Sequence, residues 1–143
     1  LVFDISALSG SEEQVSLRQR LFRGKPEMSI RVQLQRMYAK YLREVVQYPK
    51  IYKPTLGQDL RECFMFLRTK VNHALHIYHK QTALREADTA LDNLRDVIWA
   101  TYEVGCISEG QYGLWIEEIS LFGMMLGGWI KETRAAEGGR HES

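Results

Sequence analysis

Proline is scarce in this chain. Its copies are Pro26, Pro49 and Pro54, so nothing after residue 54 interrupts a helix by losing an amide donor. Cysteine is scarcer still, and Cys63 and Cys106 match no metal or redox spacing, which excludes a disulfide scaffold and reads as reduced thiols in a cytoplasmic protein. No apolar run approaches the roughly 18 residues that would suggest a membrane span. Neither HExxH nor a pair of Glu-x-x-His motifs is present, so the usual metal sites of helical enzymes are missing. His73, His76 and His79 step by three, a spacing that drifts around a helix and away from its core face. There is no glycine-rich nucleotide loop, and no Ser-His-Asp or Cys-His grouping can be argued from position. The expectation is a non-enzyme with no catalytic residue, no metal and no cofactor.

What remains is apolar residues at helical spacing. At 143 residues the length suits one domain. Residues 1–27 form an extension with its own short apolar run, residues 28–135 a helical domain, and residues 136–143 a polar, frayed tail. The first helix is expected over Ser29–Gln47, with Leu34, Met37, Tyr38, Tyr41, Leu42 and Val45 inward. After a loop broken by Pro49 and Pro54, Thr55 and Gln58 read as a capping box opening the second helix, whose inward line runs from Leu56 to Tyr78. A tight Lys80-Gln81 connection leads to a third helix over Thr82–Glu103, ended by Gly105 at the left-handed position after the helix. Ser108 and Gln111 form another capping box, opening the fourth helix toward Ala135. Four amphipathic helices with short connections predict an all-α, up-down-up-down four-helix bundle.

The fourth helix has more apolar surface than one buried face requires. Beside Trp115, Ile119, Phe122 and Leu126 runs a second stripe of Leu114, Leu121, Met125 and Gly128. Gly123, Gly127 and Gly128 would each weaken a helix by about 1 kcal/mol relative to alanine unless another backbone approaches closely. The second stripe is therefore the candidate oligomer interface. Charge is also divided. The net charge is +1, yet residues 28–81 carry ten Lys/Arg against three acids, and residues 82–135 four against nine. Arg36, Lys40 and Arg43 form a basic stripe on the first helix, joined by Lys50, Lys53, Arg61 and Arg68 as candidates for binding nucleic acid or a partner protein. Asp88, Asp92 and Asp96 recur at i, i+4, i+8, a repulsive spacing that basic groups elsewhere would relieve. Phe66 stands off the core line as a further candidate contact.

Several local patterns resemble a known family. Pro49-Lys50, Thr55-Leu56-Gly57-Gln58, Leu84-Arg85-Glu86-Ala87-Asp88, Ser108 to Tyr112, Glu118-Ile119 and above all Leu126-Gly127-Gly128-Trp129-Ile130-Lys131 are similar to Avd-type proteins over roughly residues 30–134. Avd is the accessory variability determinant of diversity-generating retroelements. The resemblance implies a barrel-like homopentamer without catalytic activity that binds the element's reverse transcriptase and its template RNA, and cDNA, in support of mutagenic retrohoming. The Thr55–Gln58 element is shared with the four-helix proteins encoded within bacterial ribosomal RNA gene insertions, the alternative being an oligomer of that type with a structural role. Two features depart from the Avd pattern: the weak net basicity and the first 27 residues. On the sequence alone, Arg36→Glu with Lys40→Glu and Arg43→Glu is expected to keep fold and oligomer while abolishing partner binding, checked by circular dichroism and co-purification.

Overall fold

The computed structural model describes residues 26–141, with side chains described from 29 to 138; the expected N-terminal extension therefore lies outside the described residues, apart from the helical Pro26 and Glu27. Four α-helices follow in order: α1 (Pro26–Val45), α2 (Gln58–His76), α3 (Gln81–Glu103) and α4 (Glu109–His141), with a π-helical turn at Lys53–Gly57 before α2. Among the described residues there is no strand. Successive helices pack on one another and α4 closes back on α1, the order an up-down-up-down bundle requires.

The core repeats by alternating steps of three and four. Ile30, Leu34, Met37 and Tyr41 come from α1, and Leu60, Phe64, Leu67, Val71 and Ala74 from α2. Leu84, Ala87, Leu91, Leu94 and Ile98 come from α3, and Trp115, Ile119, Phe122, Leu126 and Trp129 from α4. That spacing keeps one narrow seam facing inward, the geometry of helices crossing at a shallow angle. Two residues expected inside are outside: Leu42 is exposed, and Tyr78 lies beyond the end of α2 in the connection to α3, also exposed.

The start of α2 differs from the capping box expected of Thr55 and Gln58. Thr55 lies within the π-turn, where its hydroxyl reaches back toward the carbonyls of Ile51 and Tyr52, and Gln58 donates to Glu62. Packing fixes this corner instead. The buried Tyr41 hydroxyl donates to the Gly57 carbonyl at 2.6 Å. A Cβ on Gly57 would lie 3.1 Å from Val45 Cγ2, so α1 approaches the turn too closely for a larger residue without a shift. The capping box at α4 forms as expected: Gln111 N–H donates to Ser108 Oγ at 3.1 Å, and Ser108 N–H to Gln111 Oε1 at 2.8 Å. Gly105 takes φ +86°, as the α3 terminus demands.

The C-terminal end is also corrected. α4 does not fray near Ala135 but continues to His141. Its last turns are tied to the α2–α3 connection, where Lys80 N–H donates to Glu137 Oε1 at 3.1 Å and Gln81 Nε2 to the Ile130 carbonyl at 3.1 Å. Glu137 also places a carboxylate at the amide-rich N-terminus of α3, the favourable sign for the helix dipole. Tyr41→Phe is expected to remove the bond to the Gly57 carbonyl and cost about 0.5–1.5 kcal/mol, read as a lower urea midpoint with unchanged slope; an unchanged midpoint would show that the hydroxyl does not hold the corner.

Candidate partner and nucleic-acid interface

The basic stripe of α1 divides into two environments. Arg36 and Lys40 are half-buried, while Arg43 is exposed. Lys40 Nζ stands 4.6 Å above the centre of the Trp115 ring, placing it on the seam between α1 and α4. Beside it the Trp115 indole donates to Glu44 Oε1 at 2.8 Å, and Gln33 Nε2 donates to Glu118 at both its carbonyl and its carboxylate, 3.1 and 2.6 Å away. Burial pushes the Lys40 pKa below its ordinary value, and the nearby Glu44 and Glu118 carboxylates only partly restore it. These groups fasten α1 to α4. Arg36 and Lys40 are thus less available to a phosphate backbone than their spacing suggests.

The other basic candidates are accessible. Arg43, Lys50, Lys53 and Arg61 are exposed on the segments that form the α1–α2 corner, with Ile51 71% exposed among them. Arg68 lies farther along α2, its guanidinium 6.0 Å from the Tyr38 ring centre. There it shares a groove of about 340 Å³ between α1 and α2 with Arg31, Gln35, Tyr38, Phe64 and Asn72. Arg31 was not singled out from the sequence. The available signal was the run Arg31, Gln35, Tyr38, Leu42 at i, i+4, i+7, i+11, one side of α1 distinct from the Gln33–Lys40 side.

On α4 the candidate interface residues lie on the flank nearest α1. Leu114, Leu121 and Met125 stand four, three and seven residues from Glu118, which bonds Gln33 of α1. Leu114 is 53% exposed, Gly128 is exposed, and Leu121 and Met125 are half-buried. Met124, not anticipated, is 75% exposed on the outer side of the helix. Among the helix's central glycines only Gly123 is in tight contact, a Cβ there falling 3.2 Å from Arg95 Nη2 and 3.4 Å from Leu91 Cδ2; at Gly127 and Gly128 it would meet nothing within 4 Å.

The acidic side is partly neutralised within the chain. Arg95 pairs with Asp92 at 2.6 Å, and Lys70 with Glu86. Asp59, Glu62 and Glu86 rim a groove of about 500 Å³ between α2 and α3, floored by Cys63, Ala90 and Val97, with the exposed Phe66 at its edge. Trp99 adds a second exposed aromatic on α3. Burial pushes the thiols of Cys63 and Cys106 up, away from the thiolate form that reacts. His73, His76 and His79 are exposed, and among the described residues no three potential ligands cluster as a metal would need.

The sequence profile of the family described as bAvd-like matches residues 28–133. The chain belongs to the bAvd-like family. The match runs from the first turn of α1 to Thr133, a buried residue late in α4, and so takes in all four helices and the whole core of the bundle. No curated protein and no solved structure matches the chain. Among the described residues no helix is long and apolar enough to cross a membrane.

The α1–α4 seam gives a pH-dependent expectation. Between the lowered folded pKa of Lys40 and its ordinary 10.5, the unfolded chain holds more protons, so the native chain gains stability as pH rises through that window. Lys40→Met removes the buried charge and keeps the stem over Trp115. Its melting temperature should exceed the parent's at pH 7, with the difference narrowing as pH approaches 10.5; a less stable variant at pH 7 would show that attraction to Glu44 and Glu118 outweighs burial.

Proposed function

We propose that this chain is the non-catalytic accessory protein of a diversity-generating retroelement, acting in the cytoplasm, where it holds the reverse transcriptase and template RNA, and the cDNA made from it, together for mutagenic retrohoming. Membership of the bAvd-like family carries this reading. The unit that acts is the bundle of residues 28–135, which α4 extends to His141. Residues 1–27 precede the stretch that the family profile matches.

Assembly is the first part of the proposal. A barrel-like homopentamer would cover the α4 flank of Leu114, Leu121, Met125 and Gly128, together with Met124 and the open Gly127. The two glycines admit another backbone at close range, which would offset their helical cost. The basic halves of the subunits would then be repeated around the ring. Repetition matters because a single chain at +1 has little long-range attraction for a polyanion. Several weak sites on one particle bind far more tightly than one.

Binding is the second part. The accessible cations are Arg43, Lys50, Lys53 and Arg61 at the corner and Arg68 on α2. Lys40 supports them from the α1–α4 seam, where it lies over Trp115. The sequence-based triple charge reversal is therefore the wrong variant, because a carboxylate at position 40 would join Glu44, Glu117 and Glu118 and loosen the seam. Arg43→Glu with Lys50→Glu and Lys53→Glu is the cleaner one. Co-expressed with the reverse transcriptase and template RNA of its own retroelement, the parent chain should elute as a complex of all three, and the triple variant as a bare oligomer of normal mass. A parent oligomer that ignores both partners would overturn the retroelement reading and favour a structural role of the ribosomal-insertion type.

A further inference from the structure

We infer that the groove between α1 and α2 receives one unstacked base of a single-stranded nucleic acid, with Arg31 and Arg68 on the flanking phosphates. This rests on the reading of the chain as a nucleic-acid-binding protein and narrows it to a strand type and a site. The groove, about 340 Å³, falls in the size range of small-molecule pockets. Its lining contains two arginines and no carboxylate. Both guanidinium groups belong to exposed residues and can each offer paired donors to a phosphate.

The interior of the groove suits a base more than a peptide. Tyr38 is held in place by its neighbours, stacked on Tyr41 at 5.9 Å and tilted against Phe64 at 5.7 Å. Its ring is thus a fixed platform for stacking. Arg68 sits 6.0 Å from the ring centre, at the outer limit of a cation–π contact, so an incoming base displaces little. Gln35 and Asn72 join the lining beside the apolar Leu34, Ala39, Leu42 and Val71, and each amide offers both donors and an acceptor, the combination that reads a base edge. An acidic peptide would use the two arginines and leave the aromatic platform and both amides idle. A duplex keeps its bases stacked and cannot fill the groove. The Arg31–Gln35–Tyr38 side of α1 is also not the side that faces α4, so covering the α4 flank leaves the groove open.

The test compares a labelled oligouridylate and oligoadenylate with a blunt RNA duplex of equal length, by fluorescence anisotropy on the full chain. The single strands should bind more tightly than the duplex. Arg31→Ala with Arg68→Ala should weaken single-strand binding about tenfold or more while leaving the duplex unaffected, the mass unchanged and the circular dichroism native. Loss of two phosphate contacts should lower the single-strand salt slope by about 1.4. Ultraviolet cross-linking of a thiouridine-containing strand should mark the peptide containing Tyr38. An unchanged affinity in the double variant, an equal loss on duplex, or cross-links confined to Lys50 and Lys53 would each overturn the groove assignment. Oligoglutamate displacing the strand and binding as tightly would reassign the groove to an acidic peptide. None of these outcomes bears on whether the reverse transcriptase co-purifies, so failure of the groove and failure of the accessory role are separable.

Discussion

Among the described residues, helix α4 carries more apolar surface than α1, α2 and α3 cover, and the other features are arranged around that excess. Its 33 residues compare with 20, 19 and 23 in α1, α2 and α3, a length of about 50 Å at the usual helical rise. On the inner side Trp115, Phe122 and Trp129 fill the bundle, each almost wholly buried. Burying side chains of that size contributes about 1.5–3 kcal/mol apiece, and α4 brings them against α3 and α1. Its outer side still presents Leu114 and Met124 to solvent. Among the described residues, α1, α2 and α3 pack on the inner face and leave that outer side open.

Polar contacts then determine how the helices meet. The Trp115–Glu44 and Gln33–Glu118 bonds cross the α1–α4 seam, and Lys40 lies over Trp115 between them. Such pairs add modest net stability, since each exchanges hydrogen bonds with water, but breaking one leaves a partly buried group without its partner. They favour one axial register of α1 on α4 over neighbouring ones. That register sets where the exposed Arg43 and the corner lysines stand relative to the α4 flank. At the opposite end, Lys80 and Gln81 bond to α4 at Glu137 and Ile130, holding the α2–α3 connection against the long helix.

The core was legible in the sequence because alternating three- and four-residue steps have one physical solution, a buried seam. The Ser108–Gln111 cap and Gly105 were legible for similar reasons: each satisfies a local backbone demand that no distant residue changes. Thr55 and Gln58 have the same local pattern, yet the Tyr41 hydroxyl and the close approach of Val45 to Gly57 set the backbone there, and both come from another helix. Ala135 looked like an end because the residues after it are polar; Glu137 supports the helix by bonding an amide that sequence neighbours do not reveal. The basic stripe was misleading in one respect. Spacing places Arg36, Lys40 and Arg43 on one side of α1 but cannot say that α4 covers part of that side. The pairing of Arg31 with Arg68 was invisible for the same reason, since neither helix alone contains it.

In the proposed assembly, further copies of the chain cover the exposed α4 flank of Leu114 and Met124. Native mass spectrometry of the purified protein without partners, repeated after Leu114→Glu with Met124→Glu, tests it most directly. One dominant closed homo-oligomer, the pentamer, is expected for the parent chain and a folded monomer for the variant. A parent chain that is monomeric at micromolar concentration, or an oligomer indifferent to both substitutions, would contradict it.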